Sequence, residues 1–293
     1  MQPSDTTRLT NPDVVIHAVG LTREAFASFG DAVENPRAGV HPSSVARKSP
    51  QSLLPFNYVS ANQGSAIKYQ HVSHQLNLYD QSRSGRPGAA IMSIFTCAAR
   101  ARIADPFSAS APAQTADSQS LPSTFPVTIL ERHPFTTQTF IPLTANPDAR
   151  YLVIVAPTLL PPPPTPLSSS EKKRESLPVP AALPPSSNYP RPLPGSGMPD
   201  LARLRAFVAT GTQAVTYGAG TWHAPMVALG EKPAEAMDFV VVQFANGVAI
   251  EDCQEVDLTA SAGTGAGEGD GAGAGARRVL VKLAPLGARM ARL

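Results

Sequence analysis

Nine short runs rich in β-branched or aromatic residues constrain this chain more than any other feature. They are LPFNYVSA (54–61), AAIMSIFTC (89–97), FPVTILERH (125–133), TQTFIPL (137–143), YLVIVAP (151–157), AVTYG (214–218), WHAPMVAL (222–229), MDFVVVQFAN (237–246) and RRVLVKLAP (277–285). Most are bounded by Gly, Pro, Asn or Asp, the pattern of strands closed by turns. None approaches the roughly 18 apolar residues that a membrane-spanning helix needs. Helical signals are few. In LTREAFASFGD (21–31), Thr22 is an N-cap candidate, residues 25, 26 and 29 are apolar, and Gly30 would stop the helix. PDLARLRAFVAT (199–210) starts with Pro199 and Asp200 and spaces Leu201, Leu204 and Phe207 helically. Many short strands with few helices predict an all-β fold, a sandwich or a barrel.

Three segments interrupt this pattern and predict disordered, low-complexity insertions in a single domain over 1–293. Residues 103–120 are small, polar and non-periodic. The stretch 158–198 lies in a region (157–199) that holds 14 of the chain's 31 prolines, around the charged cluster EKKRES (171–176). It cannot bury enough apolar surface to offset its ordering entropy. Residues 259–276 carry seven glycines in eighteen positions and read as a flexible loop. PPPPTP contains P-x-x-P, but such matches arise readily in proline-rich sequence, and a passive insertion is expected.

A net charge of +2 gives no argument for nucleic acid or an anionic membrane as partner. Two cysteines, Cys97 and Cys253, make no secreted disulfide framework, so two buried thiols in a reducing compartment are expected. The N-terminal MQPSDTTRLTNPD has no basic n-region followed by an apolar h-region. The chain ends in Ala291-Arg292-Leu293, small-basic-leucine, similar to the S-K-L address read by the peroxisomal import receptor. The expectation is a peroxisomal or cytoplasmic protein.

Two strand runs carry the chemistry. Residues two apart on a strand share a face, so in FPVTILERH Glu131 and His133 point one way and Arg132 the other. A turn at HPFTT then returns Gln138 on the next strand, giving E-x-H-x4-Q. Later, GAGTWH places Gly218 and Gly220 before Trp222 and His223. Imidazoles titrate near neutral pH and are also common metal ligands. With Glu131 and Gln138, His133 and His223 form a set suited to a borderline divalent ion such as nickel, zinc or manganese.

The two motifs resemble those of cupin barrels. Glu131-x-His133-x4-Gln138 has the first motif's spacing with two ligand types changed, and Gly218-x-Gly220-x-x-His223 matches the second with Gly in place of Pro. A longer likeness is to the ureidoglycolate lyase family of allantoin degradation. LERHPFTTQTFIPL (130–143), RAFVATGTQAVTYGAGTWHAPMVAL (205–229) and DFVVVQFANGVAIEDC (238–253) carry it, with LTREAFASFGDAVENP (21–36) and NQGSAIKYQHV (62–72) towards the N-terminus. The resemblance implies a cupin-like homodimer that cleaves (S)-ureidoglycolate to glyoxylate and urea. It also implies a divalent metal, with nickel among the candidates.

That substrate is a carbinolamide, and its cleavage needs a proton acceptor, a proton donor and a cationic group for its carboxylate. His133 and His223 are the expected proton carriers. Lys68 is the expected carboxylate partner, with Asn62 and Gln63 adding polar contacts. Alternation puts Lys68 and Gln70 on one face and Ile67 and Tyr69 on the other, so Tyr69 replaces Lys68 if the second face lines the site. Arg132 is expected in a structural ion pair or dimer contact, and Trp222 in a barrel wall or dimer interface. His71 and His74 fall on opposite faces if their segment is extended and cannot then chelate together. His17 and His41 are expected at the surface, and Cys253 buried and inert. Rival functions are another cupin enzyme acting on a small hydroxy acid, and a non-enzymatic binding barrel whose proline-rich segment recruits partners.

Overall fold

The computed structural model describes residues 7–8, 14–45, 51–53, 56–100, 102–103, 124–146, 148–159, 197–230, 235–258 and 279–283. The bulk of the three expected insertions, and the C-terminal ARL, lie outside them. Thr158 pairs with Pro199 in an isolated bridge, so the two ends of the proline-rich stretch meet.

All nine strand runs are strands, and the chain is mostly β with a few short helices. They form four sheets. The largest runs in the order Thr7–Arg8, Gln254–Asp257, Ile129–Arg132, Trp222–His223, Arg150–Ala156, Arg205–Thr210, Val19–Gly20, with Val227–Leu229 also paired to Arg150–Ala156. A five-stranded sheet has the order Gly30–Val33, Ala214–Tyr217, Gln138–Leu143, Ala236–Ala245, Ala89–Ala98. Val14–His17, Val279–Lys282 and Thr124–Val127 make a third sheet, and Gln51–Leu53, Phe56–Ala61 and Ala66–Gln70 a fourth. Among the described residues no sheet closes into a barrel.

The run YLVIVA shows why the sheets stack. It is the middle of the largest sheet, and every residue from Tyr151 to Ala156 is buried. Its alternate side chains feed two cores. Leu152, Ile154 and Ala156 join Leu130, Trp222 and Val256, packed against Phe125, Val279 and Val281 of the third sheet. Tyr151, Val153 and Val155 join Phe140, Val215, Tyr217 and Phe239 of the five-stranded sheet. A strand covered on both faces reads as a continuous apolar run. The result is three sheets in layers with the largest in the middle.

Two helix expectations change. Residues 199–210 form only a 3-10 turn at Leu201–Arg203, capped by Asp200, and then the strand Arg205–Thr210. Pairing with Arg150–Ala156 buries Ala206, Phe207 and Ala209, and this overrides the helical spacing. The first helix spans only Arg23–Phe26, capped by Thr22, whose Oγ1 accepts from Ala25 N at 3.2 Å. Gly30 does not end it; it opens the strand Gly30–Val33.

Candidate functional site

Ile129–Arg132 ends in the middle sheet, and the chain crosses through His133–Thr137 to enter the five-stranded sheet at Gln138. That crossing leaves Glu131 and His133 at the end of a strand of the middle sheet and Gln138 at the start of a strand of the five-stranded sheet. Trp222–His223 is the neighbour of Ile129–Arg132, with His223 directly opposite Glu131. Glu131, His133 and His223 each offer one ligand atom, and these atoms all lie within 4.8 Å of one another. The two imidazoles have centroids 5.4 Å apart.

Each ring has one nitrogen bound to the backbone. His133 Nδ1 donates to the carbonyl of Asp252 at 2.6 Å, and His223 Nδ1 to that of Thr221 at 3.0 Å. A proton on Nδ1 leaves the lone pair on Nε2. Both Nε2 atoms are buried, and neither has a hydrogen-bond partner among the described residues. His223 Nε2 does lie 3.5 Å from Glu131 Oε1. Gln138 Oε1 is likewise buried and unpartnered, because its amide nitrogen donates to Gln243 Oε1 at 2.6 Å and turns the oxygen away. Two unpaired imidazole nitrogens buried beside one carboxylate are the signature of a site made for a cation or a substrate proton.

The glycines of GAGTWH serve this geometry. Gly220 takes φ +77, a turn conformation that glycine adopts without strain. Its N–H donates to the carbonyl of His133 at 2.9 Å, tying one histidine loop to the other. Tyr217 stacks on the His223 ring at 4.0 Å and 10°.

Burial opposes ionisation of Glu131, but the close His223 imidazole and, behind it, His133 outweigh this and hold its carboxyl below the usual range. Burial first, and the neighbouring His223 second, bring His133 down to about 4. His133 is therefore neutral at pH 7. Its folded value lies below the unfolded 6.5, so the stability it lends is full above pH 6.5 and is lost as pH falls through about 4. The thermal midpoint should drop over that window by an amount equivalent to at most about 3 kcal/mol, and His133→Asn should flatten that part of the pH curve.

Lys68, Asn62 and Gln63 are exposed on the fourth sheet and its turn, where Asn62 and Gln63 take φ +47 and +59. Tyr69 packs on Tyr58 at 5.8 Å, its hydroxyl buried and unpartnered. Among the described residues none of these four makes a hydrogen bond or ring contact with the histidine pair. Arg132 is buried, without a carboxylate partner among the described residues. Its Nε donates to Gln254 at 2.8 Å, Nη1 donates to Thr158 at 3.2 Å, and its guanidinium lies 4.6 Å over the Trp222 ring. Burial lowers it to about 10. His71 breaks the extended run with φ +57, and its ring stacks on that of His74 at 5.7 Å instead of pointing away. Cys253 is half-buried, beside Glu131 and Glu255, and burial pushes its thiol up to about 12, so it stays protonated.

Sequence reasoning passed over Gln243, Tyr217 and Asp252. Gln243 had a signal, being the polar residue inside DFVVVQFAN. Asp252 acts through its backbone carbonyl, which no side-chain pattern reveals.

Comparison with known proteins adds to this geometry. The family model described as ureidoglycolate lyase matches residues 13–263. The ureidoglycolate lyase of Schizosaccharomyces pombe is 33% identical over 240 residues, covering 82% of this chain and 89% of that protein. The ureidoglycolate lyase of Saccharomyces cerevisiae is 29% identical over 230 residues, covering 78% and 85%. The one from Burkholderia mallei is 28% identical over 222 residues, covering 76% and 78%.

Proposed function

The chain belongs to the ureidoglycolate lyase family, and we propose that it cleaves (S)-ureidoglycolate to glyoxylate and urea in allantoin and purine catabolism. The observation that carries the chemistry is the pair of buried, unpartnered Nε2 atoms beside Glu131. The substrate carbon bears a hydroxyl, a carboxylate and the ureido nitrogen. As the hydroxyl proton leaves, the oxygen forms the carbonyl and the C–N bond breaks. The electron pair leaves on nitrogen, which takes up one proton and departs as urea. One proton is lost and one is gained, with no oxidant or reductant.

Two imidazole nitrogens, a carboxylate and an amide oxygen fit a divalent cation, and nickel, zinc or manganese suits that donor set. His133, His223, Glu131 and Gln138 would hold it. When bound it supplies Lewis acidity to the substrate's hydroxyl and carboxylate oxygens. In the metal-free form the same Nε2 lone pairs accept the hydroxyl proton and return it to nitrogen, with the Glu131 carboxylate stabilising the imidazolium. Gln243 sets which face of the Gln138 amide meets the site. Gln243→Glu, an acceptor, should keep divalent-cation affinity within about threefold, whereas Gln243→Lys, a donor, should turn the amide and cost about tenfold or more by calorimetry.

Lys68 is carried as the group for the substrate carboxylate on the sequence argument alone. Lys68→Met should raise KM several-fold, and an unchanged KM removes it from the site. The cupin-type arrangement is kept as two layered sheets, with the ligand set near the point where the chain passes from one to the other at 133–137. For the dimer, the outer face of the five-stranded sheet is the candidate surface. Met92 is 72% and Ile94 59% exposed, beside Ile141 and Leu143, and Ala89–Ala98 is an edge strand with one partner. Such an apolar face marks an interface. Met92→Lys with Ile94→Lys should convert a dimer to monomer in sedimentation. The C-terminal ARL supports a peroxisomal location, and deleting it should leave a fluorescent fusion in the cytoplasm.

The decisive assay incubates the purified chain with racemic ureidoglycolate and measures urea, ammonia and glyoxylate, with and without chelator. Urea and glyoxylate in equal amounts, with no ammonia, are expected; no turnover under any metal condition refutes the lyase reading. Loss with chelator and recovery with added metal assigns the cation, and indifference to chelator leaves the histidines as plain acid–base groups.

A further inference from the structure

We propose that Tyr79 is the positioning residue that fixes the His133 imidazole, acting through Asp252. The proposal takes the site from the lyase reading but rests on contacts of its own. His133 Nδ1 donates to the main-chain carbonyl of Asp252 at 2.6 Å. Asp252 ends the short helix Ala249–Asp252, and that single turn does not hold the carbonyl in place by itself. Its carboxylate does so by accepting three bonds. Tyr79 Oη donates to Oδ1 at 2.6 Å, and the N–H groups of Asn246 and Gly247 donate to Oδ1 and Oδ2, each at 2.8 Å. The Tyr79 bond is the shortest and the only one that reaches a distant part of the chain.

Tyr79 also grips the other side of His133. Its ring lies 5.8 Å from that of Phe135, two residues along the same turn. Leu78 N–H donates to the Phe135 carbonyl at 2.7 Å. One side chain therefore braces both the backbone that carries the imidazole and the acceptor that sets its tautomer. Tyr79 itself has no freedom. It is 1% exposed, and Gly88 lies so close that a Cβ there would sit 2.3 Å from the ring. Burial, followed by the bond to Asp252, raises its hydroxyl above the ordinary range, so it remains a donor. Partners that orient a ligating or proton-carrying histidine typically contribute about 10- to 100-fold in metal affinity or activity.

The test is Tyr79→Phe in the full chain, which keeps the ring against Phe135 and Gly88 and removes only the hydroxyl. Two readouts are taken. In the metal-free protein, nitrogen-15 NMR of the imidazoles follows the hydrogen-bonded Nδ1–H of His133, assigned with His133→Asn. In the active enzyme, kcat and KM are measured separately. The Nδ1–H resonance is expected to shift or broaden, and kcat to fall about 10-fold or more with KM within about twofold. Asp252→Asn gives up one of the three acceptor bonds and should move both readouts the same way, which keeps the test usable if Tyr79→Phe folds poorly. An unchanged resonance, or an unchanged kcat in an active enzyme, overturns the proposal. Should the unsubstituted protein not turn over ureidoglycolate at all, the lyase reading fails separately, and the imidazole resonance alone decides the role of Tyr79.

Discussion

Replacing His223 with asparagine should lower kcat for ureidoglycolate cleavage by about 10²- to 10⁴-fold, the range contributed by a positioned proton-transfer group. Asparagine can still donate to the Thr221 carbonyl that now receives Nδ1, so the turn has a replacement bond. What it cannot offer is Nε2, the buried lone pair beside Glu131. The stack on Tyr217 is lost as well, and truncating a packed aromatic contact costs about 0.5–1.5 kcal/mol. A modest fall in thermal midpoint should therefore accompany a large fall in rate. That separation is the informative result, measured as urea and glyoxylate release beside a melting curve. His74→Asn is the control: His74 is exposed and stacks only on His71, and its loss should leave kcat within about twofold. A His223→Asn enzyme retaining more than a tenth of its activity would remove that imidazole from the reaction.

The site was legible where it depended on strand periodicity and illegible where it depended on how sheets meet. Glu131 and His133 come together as residues two apart at the end of a strand, and the sequence shows this spacing directly. His223 lies with them because it pairs with Glu131, and the motif spacing hinted at this. Lys68 rested on local pattern alone. It lies on the fourth sheet, and sheet membership is a long-range property that no window of neighbours carries. The same limit explains 199–210. Helical spacing of Leu201, Leu204 and Phe207 is real, yet pairing to Arg150–Ala156 decides the outcome. The barrel expectation recognised a β-rich chain but could not tell a closed sheet from stacked open ones, because the run YLVIVA is fully buried in either. Asp252 and Tyr79 were invisible for a different reason: one works through its backbone, and the other through a hydrogen bond spanning 173 residues.

Gly30→Ala should be the most damaging small substitution in the described chain, costing about 3–5 kcal/mol from backbone strain and overpacking together. Gly30 sits at φ +147, and a Cβ there would lie 1.9 Å from the Thr216 carbonyl oxygen and 2.9 Å from Gly218 N. Both neighbours are backbone, Thr216 in a paired strand and Gly218 tied by its N–H to the Phe29 carbonyl, so neither can rotate away. For a domain of this size the thermal midpoint should fall by roughly 10 °C. Gly39→Ala is the control, since nothing lies within 4 Å of a Cβ there, and it should melt within about 2 °C of the unsubstituted protein. The damage should also reach the chemistry. Gly30 pairs with Tyr217, whose ring supports His223, and Phe29 accepts from both Gly218 N and Thr221 Oγ1 at the start of the His223 turn. Moving the strand Gly30–Val33 outward by the roughly 1 Å needed to relieve the contact pulls on both supports, and displacement of a catalytic group by that distance can cost about 10²-fold in rate. Folded Gly30→Ala protein, assayed well below its midpoint, should therefore show reduced kcat as well as reduced stability. A variant that melts early but turns over normally would show that the close approach of the two strands serves the fold alone.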